Sequence, residues 1–270
     1  MTQGETTSPR RGLPWFQLAA AALGSCVLLF VVAPLVGLVA ACSLTDLSAA
    51  AADAEVRDSI RLTLLAALAA TAACTAAGIP LGYLLARRRF AGRSVVLAMI
   101  DLPIIIPHSA AGLALLTLIG RRSLVGSALE GWGLEVVGAP AGIAVAMAFV
   151  SVPFLINAAR AGFEAVPERL ERVARTLGAS PGRVFLTVAV PLAWRDILSG
   201  MILMWARGIS EFGAVIIIAY HPMTTPVMVF QRFNDFGLPA SRSVAVLLIL
   251  ICVAIFAVLR LLARRPRAEA

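Results

Sequence analysis

Residues 160–195, RAGFEAVPERLERVARTLGASPGRVFLTVAVPLAWR, decide the reading of this chain. They form a polar, arginine-rich island in a sequence that is otherwise apolar. The island is too polar to lie in lipid and too regular for a loose loop. Apolar residues recur with helical period over Leu170 to Leu177, Gly178 stops the period, and Ser180-Pro181 restarts it. A second helical stretch then runs over Val184 to Val190 and closes at Pro191. Leu170, Val173, Ala174 and Leu177 stand at i, i+3, i+4 and i+7 and share one face, beside Glu168, Arg169, Arg172 and Arg175. Gly178 can take the positive φ that ends a helix. An ordered helix–turn–helix protruding from a membrane protein needs something to dock on it, which points to a pore subunit driven by a separate engine. The plainer alternative is an amphipathic helix lying on the membrane surface.

The flanks supply the membrane. Of 270 residues, 60% are hydrophobic and 14% charged, and the mean hydropathy is +0.91. A soluble domain carries roughly 25% charged residues. A crossing helix needs about 20 apolar residues. Six segments qualify: Trp15–Ala41, Ile60–Ala86, Val95–Ile119, Pro140–Ala159, Trp194–Tyr220 and Val244–Leu262. Asp101, Pro103 and Pro107 interrupt the third, which is expected to be kinked or to start late. Pro153 and Asn157 lie in the fourth. Proline frees a carbonyl that only neighbouring helices or water can satisfy, so both spans are expected inside the bundle.

The expected fold is an all-α integral membrane protein of six transmembrane helices with a cytoplasmic helix–turn–helix loop. Residues 1–14 form an N-terminal tail, 15–263 one six-helix domain with the loop at about 160–193, and 264–270 a C-terminal tail. Formal net charge is +8, and every basic residue is arginine. Arg10, Arg11, Arg87, Arg88, Arg89, Arg93, the six arginines of the island, Arg260, Arg264, Arg265 and Arg267 fall on one side of a six-span chain. Only Arg57, Arg61, Arg121, Arg122, Arg232 and Arg242 fall on the other. Arginine excess marks the cytoplasmic side, so both termini are expected there, in a multi-pass protein of a prokaryotic cytoplasmic membrane. Arg10-Arg11 before an apolar run, and Val39-Ala40-Ala41-Cys42, look like export or lipoprotein signals. The apolar run is far longer than a cleavable signal's, so the first span is expected to stay.

Other classes are excluded. The arginines sit at span ends rather than among aromatics, which argues against nucleic acid. Cys26, Cys42, Cys74 and Cys252 lack metal-ligand spacing and read as small hydrophobes. The sequence carries no catalytic constellation, and without lysine it has no phosphate-binding loop of the Walker type. No catalytic residue, metal or cofactor is expected on this chain.

The island resembles the EAA loop of permease subunits of ABC-type importers. That pattern runs Glu-Ala-Ala, three residues, Gly, nine residues, then Ile, any residue, Leu-Pro. Gly178 fits the glycine, and Val188-Ala189-Val190-Pro191 fits the end at the right spacing. The start departs: Arg172-Val173-Ala174 stands in place of Glu-Ala-Ala, with Glu171 one residue early. The resemblance implies that Glu171, Arg172, Ala174, Arg175, Leu177, Gly178, Ala179, Ser180, Pro181 and Pro191 couple this chain to a cytoplasmic ATPase. Further on, Ser210-Glu211-Phe212-Gly213-Ala214-Val215 resembles permeases for molybdate, tungstate and sulfate. Ala219-Tyr220-His221-Pro222-Met223, Asp101-Leu102-Pro103 and Ile106-Pro107-His108 look most like the tungstate/molybdate branch. The resemblance implies a second copy of the chain, two ABC ATPase subunits that hold ATP and magnesium, and an extracytoplasmic oxyanion-binding protein. Sulfate or thiosulfate is the alternative cargo within that class. An ATP-independent channel or secondary transporter is the alternative outside it, and has no use for the island.

Ionisable groups inside spans are functional candidates. Arg207 and Glu211 stand one helical turn apart. They are either a mutually neutralising pair that locks packing or part of an anion path, Arg207 attracting and Glu211 limiting how tightly an oxyanion sticks. His108 is a packing residue or a donor to the anion. Ser109 and Ser210 are small helix-contact residues or ligands. Asp101 is expected as an interfacial or interhelix partner.

Overall fold

The computed structural model describes residues 14–263. The expected tails lie outside the described residues, except Pro14, which opens the first helix. Among the described residues the fold is helices and turns alone, in agreement with the all-α reading. Helix α1 (Pro14–Ala40) is followed by a short α2 (Leu44–Ala52) and the long α3 (Ala54–Arg87). Next come α4 (Arg93–Ile105), α5 (His108–Ile119) and the short α6 (Leu124–Gly131). Helix α7 (Pro140–Ala165) leads into α8 (Glu168–Thr176) and α9 (Pro181–Val184). The chain closes with α10 (Val190–Ile209), α11 (Gly213–Ile218), α12 (Thr225–Phe236) and α13 (Leu238–Ala263). Among the described residues five helices are long and apolar enough to cross a membrane, and there are six if the bent pair α4–α5 is one span.

Helix α7 is the axis of the bundle, packed between α3 and α10. Its buried face, Ile143, Met147, Val150, Leu155, Ala159 and Phe163, is held by small residues opposite. A Cβ on Gly200 would lie 2.7 Å from the Ala158 Cβ, and one on Gly82 would lie 3.0 Å from the Ala159 Cβ. Such close backbone approach, rather than hydrophobic expulsion from water, holds helices together in lipid. Hydroxyls add to it. Thr63 Oγ1 accepts from the Thr225 N–H at 2.8 Å and fastens the start of α12 to α3.

Three expectations change. The third span is a helix pair bent by 112° at Ile106-Pro107, not a kinked rod. Pro107 has no N–H to continue the ladder and restricts Ile106 to extended geometry, where φ is −73° and ψ 148°. Only the α5 half of that span packs deep in the bundle; α4 lies along the flank of α7, with Pro103 its one buried residue. The fifth span also differs. Its helix begins at Pro181 rather than Trp194 and runs unbroken to Ile209. It then opens at Ser210-Glu211-Phe212 before the single turn and a half of α11.

Pro191 does not close a helix. The turn before it, Phe185–Ala189, is a π turn in which the Val190 N–H donates to the Phe185 carbonyl. Widening the turn makes room for a ring that would otherwise meet the carbonyl four residues back, so the helix passes through.

Helix α1 stands at the edge with its apolar surface uncovered. The Arg242 Nη1–H donates to the Ala41 carbonyl and joins its end to α13.

Candidate functional site

The candidate residues gather in two places among the described residues. The first is the protrusion formed by α8 and α9. The Gly178 N–H donates to Arg175 O at 3.0 Å and the Ala179 N–H to Ala174 O at 3.1 Å. With φ +88° at Gly178, this is a Schellman stop, the one backbone shape here that asks for glycine. Ser180 then caps α9, its Oγ accepting from the Arg183 N–H at 3.4 Å. The apolar stripe faces outward: Val173 is 56% and Leu177 83% exposed. Arg172, Arg175, Ser180, Pro181 and Pro191 are exposed with it, while Ala174 and Ala179 are half-buried.

Glu171 does not join that face. It is buried, accepting from Arg87 Nε at 2.8 Å on Oε1 and from the Tyr83 hydroxyl at 2.7 Å on Oε2. Arg87 also donates to the Val166 carbonyl. Tyr83 sits edge-on against Phe163 and Phe185. The carboxylate therefore fastens α8 to the end of α3, whose Tyr83 packs on Phe185 at the root of α10, and it lies behind the exposed face rather than on it. Arg87 and Tyr83 lie more than eighty residues away in sequence, and no local pattern announces the pairing.

The second place is where α5 begins and the fifth span opens. A Cβ on Gly213 would lie 2.7 Å from the His108 Cβ, and one on Gly112 would lie 2.9 Å from the Ala214 Cα. Backbones therefore touch, and side chains from both breaks converge. Glu211, 1% exposed, places Oε2 at 2.8 Å from both Arg207 Nη2 and His108 Nδ1. Its Oε1 accepts from the Ala214 N–H at 2.8 Å, across the opened segment. Arg207 Nη1 donates to Ser210 Oγ at 3.2 Å, and Nη2 lies 3.0 Å from His108 Nε2. The same Nη2 lies 2.8 Å from His108 Nδ1, so the guanidinium faces both ring nitrogens.

His108, Arg207, Ser210 and Glu211 thus form one network. Ser109 lies one residue on, exposed, and among the described residues takes no part in it. Arg207 and His108 keep 23% and 39% of their side chains open. Asp101, expected as an interhelix partner, accepts from Asn157 Nδ2 of α7 at 2.6 Å.

Arg207 lies thirteen residues into the helix from Trp194, about 20 Å at 1.5 Å per residue. The apolar layer is about 30 Å thick. Ionisable side chains within a span almost always face a bundle interior or a water-filled cavity, which is the environment that the open part of Arg207 calls for.

A family model described as "Binding-protein-dependent transport system inner membrane component" matches residues 78–268. The chain is 46% identical over 216 residues to the molybdate/tungstate transport system permease protein WtpB of Thermococcus kodakarensis, covering 80% of this chain and 82% of that one. It is 34% identical to the sulfate transport system permease protein CysT of Salmonella typhimurium, covering 88% of each. Its fold is similar to that of a bacterial ABC transporter involved in the import of the polysaccharide alginate, with a TM-score of 0.71 at 16% identity over 93% of this chain and 96% of that one. The chain belongs to the family of inner membrane components of binding-protein-dependent transport systems.

Proposed function

We propose that this chain is the permease subunit of an ATP-driven importer that carries tungstate or molybdate across the cytoplasmic membrane. The observation that carries the reading is a continuous helix from Pro181 to Ile209. It joins an outward-facing apolar tip at one end to the half-open Arg207 cluster at the other. Two ATPase subunits, which bind and hydrolyse ATP with magnesium, dock on the tips of two copies of the chain. An extracytoplasmic oxyanion-binding protein delivers cargo at the opposite end. Both termini lie in the cytoplasm with the arginine-rich side. The contacts of Arg87 with Glu171 and of Arg93 with Glu164 support this by gathering those arginines at the end that carries the tip.

The ATPases, closing on ATP, move the tip as a rigid body because Glu171 fixes α8 to α3, whose Tyr83 packs on the root of α10. Helix α10 carries the movement to Arg207. There His108, Ser109, Arg207, Ser210 and Glu211 line the path shared by two copies, and the second copy covers the polar cluster that lipid cannot. Molybdate or tungstate is favoured over sulfate by the higher identity to the molybdate/tungstate permease.

The test is uptake of labelled tungstate into vesicles holding this chain, its ATPase and its binding protein, with molybdate and sulfate as competitors. ATP-dependent uptake blocked by molybdate and not by sulfate is expected. Blocking by sulfate moves the cargo to the sulfate class, and uptake that ignores ATP removes the coupling.

A further inference from the structure

Glu211 is held as a bound anion would be held. Its Oε2 draws both Arg207 Nη2 and His108 Nδ1 at 2.8 Å. Its other oxygen is occupied by the Ala214 N–H, so the carboxylate spans the opened segment and has little freedom to leave. The groups that surround Oε2 are the half-open ones: Arg207, His108 and, through Arg207 Nη1, the exposed Ser210. These donors can be reached from the open side while the carboxylate behind them stays buried.

The charge count follows from these contacts. Arg207 carries +1 and Glu211 carries −1, so within this ion pair the charges cancel. A tetrahedral dianion arriving from the open side finds guanidinium, imidazole and hydroxyl donors in place, set against a fixed negative charge.

We infer that Glu211 is a built-in competitor of the cargo: its carboxylate occupies the Arg207 and His108 donors and, by repelling a tetrahedral dianion that takes them over, sets how soon the cargo leaves. This rests on the anion-path reading above and adds to it the residue that tunes passage. Arg207 is then the attractive half of the site and Glu211 the releasing half. The buried position of the carboxylate, its Oε1 tied to backbone, is what lets it act on every passing anion without being displaced. A weak, quickly vacated site is what a path needs, since tight binding at any step stops conduction.

The experiment measures equilibrium binding of labelled tungstate to the purified permease–ATPase complex in lipid nanodiscs, without the binding protein, beside uptake in vesicles. Glu211→Gln keeps an acceptor for the Ala214 N–H and removes the charge. It is expected to bind tungstate at least about tenfold more tightly than the unaltered complex while uptake slows. Arg207→Ala/Glu211→Gln is expected to lose that gain.

Should Glu211→Gln fail to assemble with the ATPase, Ser210→Lys supplies the same surplus of positive charge from an exposed position and is expected to tighten binding likewise. If assembled Glu211→Gln or Ser210→Lys binds no more tightly while Arg207→Ala abolishes uptake, Glu211 is a packing pin and the competitor role is overturned. If Arg207→Ala also leaves uptake intact, the anion-path reading itself falls.

Discussion

Glu171 and Gly178 sit seven residues apart in the island and do opposite work. Glu171 turns inward to Arg87 and Tyr83. Removing one partner of a buried ion pair leaves the other uncompensated, so Glu171→Ala is expected to cost about 3 kcal/mol. Thermal unfolding of the solubilised protein reads this, and Glu171→Leu/Arg87→Met is expected to regain most of it. A melting point unmoved in the single variant removes the anchor role. Gly178 has nothing within 4 Å of where a Cβ would stand, so its constraint is backbone shape and not space. A β-branched side chain resists φ +88°. Gly178→Val is therefore expected to unwind the Schellman turn and lower the tungstate carried per ATP hydrolysed several-fold, with Gly178→Asn milder. Unchanged stoichiometry in the valine variant counts against docking at this turn. The glycine was legible from sequence because stopping a helix is a local property. The direction in which Glu171 faces was not, because burial is decided by α3, which arrives from eighty residues away.

At the scale of elements, hydropathy located the five long apolar helices and the bent pair between them, since about twenty apolar residues are a local signal. Their shapes were less legible. Pro107 and Pro191 are the same residue with opposite outcomes. Pro107 bends the chain by 112°. Pro191 is absorbed by a π turn whose extra residue only the packed helix reveals. The short α2, α6 and α12 carry too few apolar residues to stand out.

One of these short elements has a pH-dependent tie. Arg232 on α12 donates to Asp53 Oδ2 at 2.7 Å, where Asp53 also caps α3. That hydrogen bond holds the Asp53 carboxyl below its ordinary value. A carboxyl whose folded pKa is depressed contributes stability above its unfolded pKa and loses it as pH falls through the folded one. Unfolding midpoints are therefore expected to fall between neutral and acidic pH partly through Asp53. The slope should flatten in Asp53→Asn. The pair is only half-buried and solvent screens it, so the effect stays within ~1 kcal/mol. An identical pH slope in the variant shows that the tie is not formed in solution.

For the whole molecule, the question is how a tip at one end governs a cluster at the other. The i, i+4 pairing of Arg207 with Glu211 could be read from sequence, because helix geometry alone brings them together. Their meeting with His108 could not, since it needs the bend at Pro107 and the break at Ser210 to fall at the same depth. Between tip and cluster lies one helix of 29 residues, about 44 Å long at 1.5 Å per residue, and its one irregularity is the π turn. Rigidity there is what coupling requires. Inserting two glycines between Thr187 and Val188, one exposed and one half-buried, interrupts the rod while leaving the tip and the Glu171 anchor in sequence. The expected result is a complex that still co-purifies with its ATPase and still hydrolyses ATP, but whose uptake falls at least about tenfold. The same insertion in the loop after Gly133, away from the rod, is expected to leave uptake near normal. Full uptake with the rod interrupted shows that movement reaches Arg207 through α3 or α7, the helices that flank α10, and not along α10 itself.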